Sequence, residues 1–66
     1  MKIHLNGQAH DISSSITVTE LLESLDLDGK PVVVELNEDV VFPRDYPQTR
    51  VGGGARVEIV ALAAGG

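Results

Sequence analysis

Cysteine is absent from the sequence, which removes disulfide frameworks and thiol nucleophiles together and leaves the fold to stand on packing alone. Positive charge is scarce as well. Five Lys and Arg against ten Asp and Glu give a formal net charge of -5, and Lys2, Lys30, Arg44, Arg50 and Arg56 do not cluster. That balance opposes a phosphate backbone, so no nucleic-acid partner is expected. A basic protein surface would instead be met faster by an acidic chain. Long apolar runs are missing too: none approaches the roughly 20 residues of a membrane helix. Met1-Lys2 opens directly into a strand pattern with no apolar leader, so no membrane partner is expected and the predicted location is cytoplasmic. At 66 residues the chain is one domain at most, burying only about 60% of its unfolded surface. An enclosed ligand pocket typically occupies roughly 300 to 1,000 Å³, more than such a core can hollow out, so a self-contained enzyme is not expected.

What is present is strongly patterned. "KIHLNGQAHDI" alternates apolar and polar residues on either side of Asn6-Gly7, the dipeptide that best supplies the two positive φ angles of a type I′ hairpin turn. A helix is predicted to start after Thr17. Thr17 is the N-cap, Glu20 completes a capping box, and Ile16 with Leu21 forms a hydrophobic staple. Val18, Leu21, Leu22 and Leu25 then recur at i, i+3, i+4 and i+7, giving one apolar face. Gly29 suits the helix stop, and Pro31 bars continuation. Such a helix is too short to be stable alone and must pack on a sheet. "VVVEL" predicts a strand over Val32 to Leu36, followed by a turn around Asn37-Glu38-Asp39 and a short strand from Val40 to Phe42. Pro43 and Pro47 make "PRDYPQTR" a loop with at most a helical turn. A last strand is predicted from Arg56 to Leu62, with Val57, Ile59 and Ala61 on one side and Glu58, Val60 and Leu62 on the other. The order β, β, α, β, β, β implies an α+β domain with one helix over one sheet face.

Most candidate sites dissolve on inspection. Opposed positions in the first hairpin sum to thirteen, which puts His4 beside Ala9 and His10 beside Ile3. The two imidazoles therefore lie on opposite faces, and no metal site is expected. "DLDG" at Asp26 to Gly29 has Lys30 where a calcium loop needs an oxygen ligand, so it reads as a helix terminus. Gly52-Gly53-Gly54 is followed by a strand, not by a helix whose N-terminus would hold phosphate. Ser13, Ser14 and Ser15 lack a nucleophile elbow and read as the loop before a helix cap.

The tail is different. Ala63, Ala64, Gly65 and Gly66 extend the last strand by roughly 13 Å at about 3.3 Å per residue. They are nearly free of side chains, so they could enter a channel too narrow for branched residues. A hairpin, a capped helix and a final alternating strand running into Gly-Gly resemble the ubiquitin-like β-grasp domains, and most closely the ThiS family of sulfur carriers of thiamine biosynthesis. The likeness covers essentially the whole chain. It rests on "KIHLNGQ", "TVTELLESLDL", "VVVELNEDVVFPR" and "VEIVALAAGG", with Ala64 standing where the family often has a third glycine.

The resemblance implies a β-grasp domain over residues 1–62, with a mixed sheet of four to five strands on one helix, and a flexible tail over 63–66. It implies a protein cosubstrate with no catalytic residue and no cofactor of its own. Gly66 would carry the chemistry: a ThiF-type adenylyltransferase, using ATP and magnesium, converts its carboxylate to an acyl adenylate. Sulfur from a cysteine desulfurase or an equivalent donor then leaves a thiocarboxylate for a ThiG-type thiazole synthase. Gly65 and Ala64 would thread into the partners' active sites. Val60 and Leu62, apolar on the side of the last strand away from the helix and next to the tail, are the expected docking face. Two other readings are a carrier of the MoaD type, the small subunit of molybdopterin synthase, and a β-grasp modifier or binding module with no sulfur role.

Overall fold

In the computed structural model residues 1–62 are described; Ala63, Ala64, Gly65 and Gly66, and with them the expected tail, lie outside the described residues. The chain opens with the expected hairpin, β1 at Lys2–Leu5 and β2 at Gln8–Asp11. Ile3 faces His10 and His4 faces Ala9. Asn6 and Gly7 take φ values of 51° and 81°, the positive pair that matches hairpin twist.

After the hairpin come β3 at Ile16–Thr17 and helix α1 at Val18–Ser24. Both halves of the capping box are made. The Thr17 N–H donates to Glu20 Oε1 at 2.8 Å, and the Glu20 N–H donates to Thr17 Oγ1 at 3.1 Å. The stop differs from the expectation at Gly29. Leu25 is the C-cap, and Asp26 takes the left-handed conformation at φ 59°. The Asp26 N–H then bonds Glu23 O at 3.1 Å and the Leu27 N–H bonds Leu22 O at 2.8 Å, the paired bonds of a Schellman motif. A short polar Asp tolerates this conformation better than most residues, so the helix closes three residues before the glycine. Gly29, at φ 76°, shapes the next turn, in which the Lys30 N–H bonds Leu27 O at 3.1 Å.

Strand β4 at Val32–Leu36 pairs with β5 at Asp39–Val41, and β7 at Arg56–Ala61 closes the sheet. The segment between β4 and β7 matches the sequence reading in its helical turn and differs from it in the β4–β5 turn and in an additional short strand. The β4–β5 turn has only two residues, Asn37 and Glu38 at φ 51° and 75°, so β5 starts at Asp39 and ends before Phe42. The proline-bounded loop holds its helical turn as a 3₁₀ segment, Pro43–Asp45. It is followed by a short strand, β6 at Arg50–Val51, which pairs with β3. Two-residue strands are too short to show a period, and this pair exists because Val51 is fully buried.

The main sheet has the order β2-β1-β7-β4-β5. Strands β1 and β7 run parallel and the other neighbours antiparallel. This is a mixed five-stranded sheet over one helix, as the resemblance implies. Ile3, Val34, Val57 and Ile59 from the sheet bury against Val18, Leu21 and Leu22 of α1, with Ile12, Val51 and Ala55 completing the core. Ala61, expected inward with Val57 and Ile59, is exposed. Its cross-strand partner Val32 is only half-buried, so the core has thinned out at that end of the sheet.

Candidate functional site at the end of the last strand

The feature that most distinguishes this domain is how β7 is held. It lies at the centre of the sheet, and each neighbouring hairpin turn sends it an asparagine. The Ile59 N–H donates to Asn6 Oδ1 at 2.7 Å, and Asn6 Nδ2 donates back to Ile59 O at 3.2 Å. On the other side the Arg56 N–H donates to Asn37 Oδ1 at 2.9 Å, while the Asn37 N–H donates to Arg56 O at 2.7 Å. Regular bonding continues to the Leu62 N–H, which donates to Pro31 O at 2.9 Å. The chain is therefore fixed up to the residue before Ala63.

The sheet face away from α1 carries an apolar stripe beside this exit. Val60 and Leu62, the two residues expected to dock, are 58% and 52% exposed and lie on one side of the strand. Val60 pairs with Val33, and the β4–β5 register continued by one residue sets Phe42 opposite Val33. Val33, Val40 and Phe42 are exposed. The Arg44 guanidinium stands over the Phe42 ring at 5.4 Å from its centre, a cation–π arrangement. In the next row Glu58 pairs with Glu35, which pairs with Val40. The result is an apolar stripe of Phe42, Val33, Val60 and Leu62 with a guanidinium at one end and two carboxylates along one flank.

Sequence reasoning found Val60 and Leu62 through their alternation but missed Val33, Val40, Phe42 and Arg44. A signal for Val33 was available, since three consecutive valines in a strand must place apolar surface on both faces. The calls on Gly66, Gly65 and Ala64 fall outside the described residues.

Among the described residues no three His, Cys, Asp or Glu gather as a metal site would require. His4 and His10 project from opposite faces of the hairpin, as their register demands. Two carboxyls are held below their ordinary range, both in the open. The hydrogen bond from Lys2 Nζ, 3.0 Å away, lowers Asp11, and the Thr17 backbone N–H lowers Glu20. Both shifts have local structural causes and neither group adjoins the stripe. Among the described residues no helix is long and apolar enough to cross a membrane.

Comparison with known proteins agrees with this geometry. The model of the ThiS family matches residues 3–66. The chain is 34% identical over 64 residues to the sulfur carrier protein ThiS of Thermus thermophilus, covering 97% of this chain and 98% of that one. It is 41% identical over 66 residues to a thiazole synthase of Paramagnetospirillum magneticum, covering 100% of this chain and 20% of the relative. The chain thus spans about a fifth of the length of the thiazole synthases it matches. Among solved structures, the thiamine biosynthesis protein ThiS from Geobacter metallireducens superposes with a TM-score of 0.86 at 33% identity, with 100% of both chains covered.

Proposed function

The chain belongs to the ThiS family, and from that premise we propose that it is a sulfur carrier of thiamine biosynthesis whose working group is the Gly66 carboxyl. The observation that carries this reading is the fixed path of β7. Asparagines on both sides and the Leu62–Pro31 bond hold the strand to its last described residue, so the sequence Ala63-Ala64-Gly65-Gly66 leaves from a rigid origin.

An α-carboxylate with a pKa of about 3.3 to 3.7 is ionised at neutral pH and resists nucleophilic attack. In this proposal a ThiF-type adenylyltransferase supplies ATP and magnesium. The Gly66 carboxylate attacks the α-phosphorus, displaces pyrophosphate and becomes an acyl adenylate. A sulfur nucleophile then displaces AMP. Hydrosulfide gives the thiocarboxylate directly, whereas a desulfurase persulfide gives an acyl disulfide; a second thiol then attacks the donor's sulfur, expelling the thiocarboxylate and ending as a disulfide with the donor cysteine. The absence of cysteine from the chain leaves no resident thiol to intercept the activated acyl group. The thiocarboxylate sulfur, charged at neutral pH, would then be delivered to a ThiG-type thiazole synthase. The likeness to much longer thiazole synthases supports that partner.

Gly65 and Ala64 are the residues that thread the partners' channels, and the stripe around Val60 and Leu62 is the face that docks. A carrier working in this way would act in the cytoplasm, where ATP and reduced sulfur are available. Incubation with a ThiF-type adenylyltransferase, ATP, magnesium and sulfide, read by intact mass, should show one oxygen exchanged for one sulfur at Gly66. A chain lacking Gly66 should stay unmodified. Adducts joined to lysines of other proteins, with no sulfur gained, would point to a modifier instead.

A further inference from the structure

We propose that the groove between β2 and α1 binds an extended, lysine- or arginine-bearing segment of a partner protein, added as a further strand at the β2 edge of the sheet. The proposal is independent of the sulfur-carrier reading, because it uses the opposite edge and the opposite face from the apolar stripe.

Strand β2 is outermost in the sheet. In the hairpin, Leu5 with Gln8 and Ile3 with His10 are the pairs that exchange both backbone bonds. The pattern continues at Met1 and Ile12, where the Ile12 N–H donates to Met1 O at 2.8 Å and the amino terminus donates to Ile12 O at 2.6 Å. Ala9 and Asp11 fall between these pairs, so their N–H and C=O groups point away from β1. Their neighbours show what such groups do when a strand is present: the His4 N–H donates to Ala55 O and the Lys2 O accepts from the Gly54 N–H, each at 2.8 Å. Strand β1 is thus bonded on both sides, while among the described residues β2 is bonded on one.

Beside that open edge lies a groove of about 400 Å³. His10 and Ile12 share the face of Ile3 and point toward α1, Ile12 and Ile16 form an apolar floor, and Glu20 and Ser24 of the helix form the far wall. A strand laid along β2 would send alternate side chains into the groove and the others past Asp11, so backbone bonds supply affinity and the groove supplies selection.

Charge decides the occupant. Helix α1 carries Glu20 and Glu23 and no basic residue, and the chain as a whole is at -5. The bases nearby are engaged: Lys2 bonds Asp11 at 3.0 Å and Arg50 donates to Ser15 O at 3.2 Å. A second copy paired edge to edge would set the acidic α1 surfaces, with Glu20 and Glu23, beside each other, which disfavours that occupant. A basic extended segment removes the same repulsion.

The test uses the whole chain and the peptide acetyl-Lys-Lys-Val-Val-Lys-Lys-amide, which presents Lys and Val on both faces of an extended strand. Its control has Glu in place of every Lys. In ¹⁵N-resolved titrations the basic peptide should shift the amides of Ala9, Asp11, Ser13 and Glu20 and slow hydrogen exchange at Ala9 and Asp11. The acidic peptide should do neither. Ala9→Pro removes an outward donor without breaking a bond to β1 and should weaken binding about tenfold or more. Glu20→Gln keeps a residue able to complete the capping box and should weaken binding about two- to fivefold. Each variant's own amide spectrum reports that it is folded. If Ala9→Pro does not fold, the exchange protection and Glu20→Gln decide. Shifts confined to the Phe42–Val60 stripe, equal response to both peptides, a concentration-dependent dimer through β2, or no saturable binding would each overturn the proposal.

Discussion

Asn6 and Ile59, 53 residues apart, are joined by a two-way hydrogen bond in which a side-chain amide does the work of a strand backbone. Parallel pairing of β1 with β7 is recorded at His4 with Arg56 and Leu5 with Val57, and the chain then turns away into the hairpin. The Asn6 amide extends the ladder past that point. It leaves both polar groups of Ile59 satisfied where the strand would otherwise lose its neighbour.

Removing this clamp should cost stability in two separable parts. Asn6→Gly keeps the positive φ and deletes the side-chain bonds, for a loss of about 1 to 3 kcal/mol at roughly 0.5 to 1.5 per bond. Asn6→Ala adds the left-handed penalty of about 1 kcal/mol. Urea unfolding of the two variants gives both numbers. An Asn6→Gly chain as stable as the parent would mean that water replaces the amide at no cost.

The two hairpin turns invite a reciprocal exchange. Both need two positive φ angles, yet the first has Gly7 at the second position and the other has Glu38, at φ 75°. Glu38→Gly removes a strain of about 1 to 2 kcal/mol and adds about 0.4 to 1 kcal/mol of unfolded-chain freedom. A net gain of about 0.5 kcal/mol is expected by the same two principles. Gly7→Glu should lose a comparable amount. A rise in denaturation midpoint for the first and a fall for the second, with unchanged slopes, is the expected result.

What could be read from the sequence was what local chemistry specifies. Asn6-Gly7 set the first hairpin and its register, and Thr17 with Glu20 set the helix start, because each signal lies within four residues of its effect. The helix stop was misplaced because the eye goes to Gly29, while Asp26 adopts the left-handed angle at modest cost. The β3–β6 pair and the Asn6 clamp join distant segments, and no local pattern announces them. The apolar stripe was half legible for the same reason. Val60 and Leu62 follow from alternation within one strand, whereas Val33 and Phe42 join them only once two registers are known.

Acid should weaken the helix start at a predictable point. The Thr17 N–H favours ionised Glu20 and lowers its pKa below the ordinary 4.5. A lowered folded-state value means the contribution is complete above the unfolded value and is lost as pH falls through the folded one. The window therefore lies below about pH 4.5, since the unfolded Glu titrates near 4.3 to 4.5. Thermal melts of the parent and of Glu20→Gln should run parallel from pH 7 to 5 and converge below pH 4. Asp11, lowered by its bond to Lys2, declines in both chains and so cancels from the comparison. A constant difference down to pH 2 would show that the Glu20 charge does not contribute.

The proposed docking role of the stripe makes a kinetic prediction that separates it from the tail. Val60 and Leu62 are more than half exposed, so replacing either with Asp should alter stability by no more than about 0.5 kcal/mol. If the stripe docks on the adenylyltransferase, Val60→Asp or Leu62→Asp loses the burial of an aliphatic side chain and sets a charge in its place. At about 1.5 to 3 kcal/mol that is roughly a 10- to 100-fold fall in kcat/KM for carrier adenylation. The loss should fall mainly on KM, because the Gly66 carboxyl reaches the same active site once the complex forms. A tail substitution such as Gly65→Val should do the reverse, lowering kcat by obstructing the channel while the stripe still binds. Pyrophosphate release measured across carrier concentration resolves the two constants. A folded Leu62→Asp chain loaded at the parent's rate would remove Leu62 from the interface, and the same result at Val60 would leave the stripe without this role.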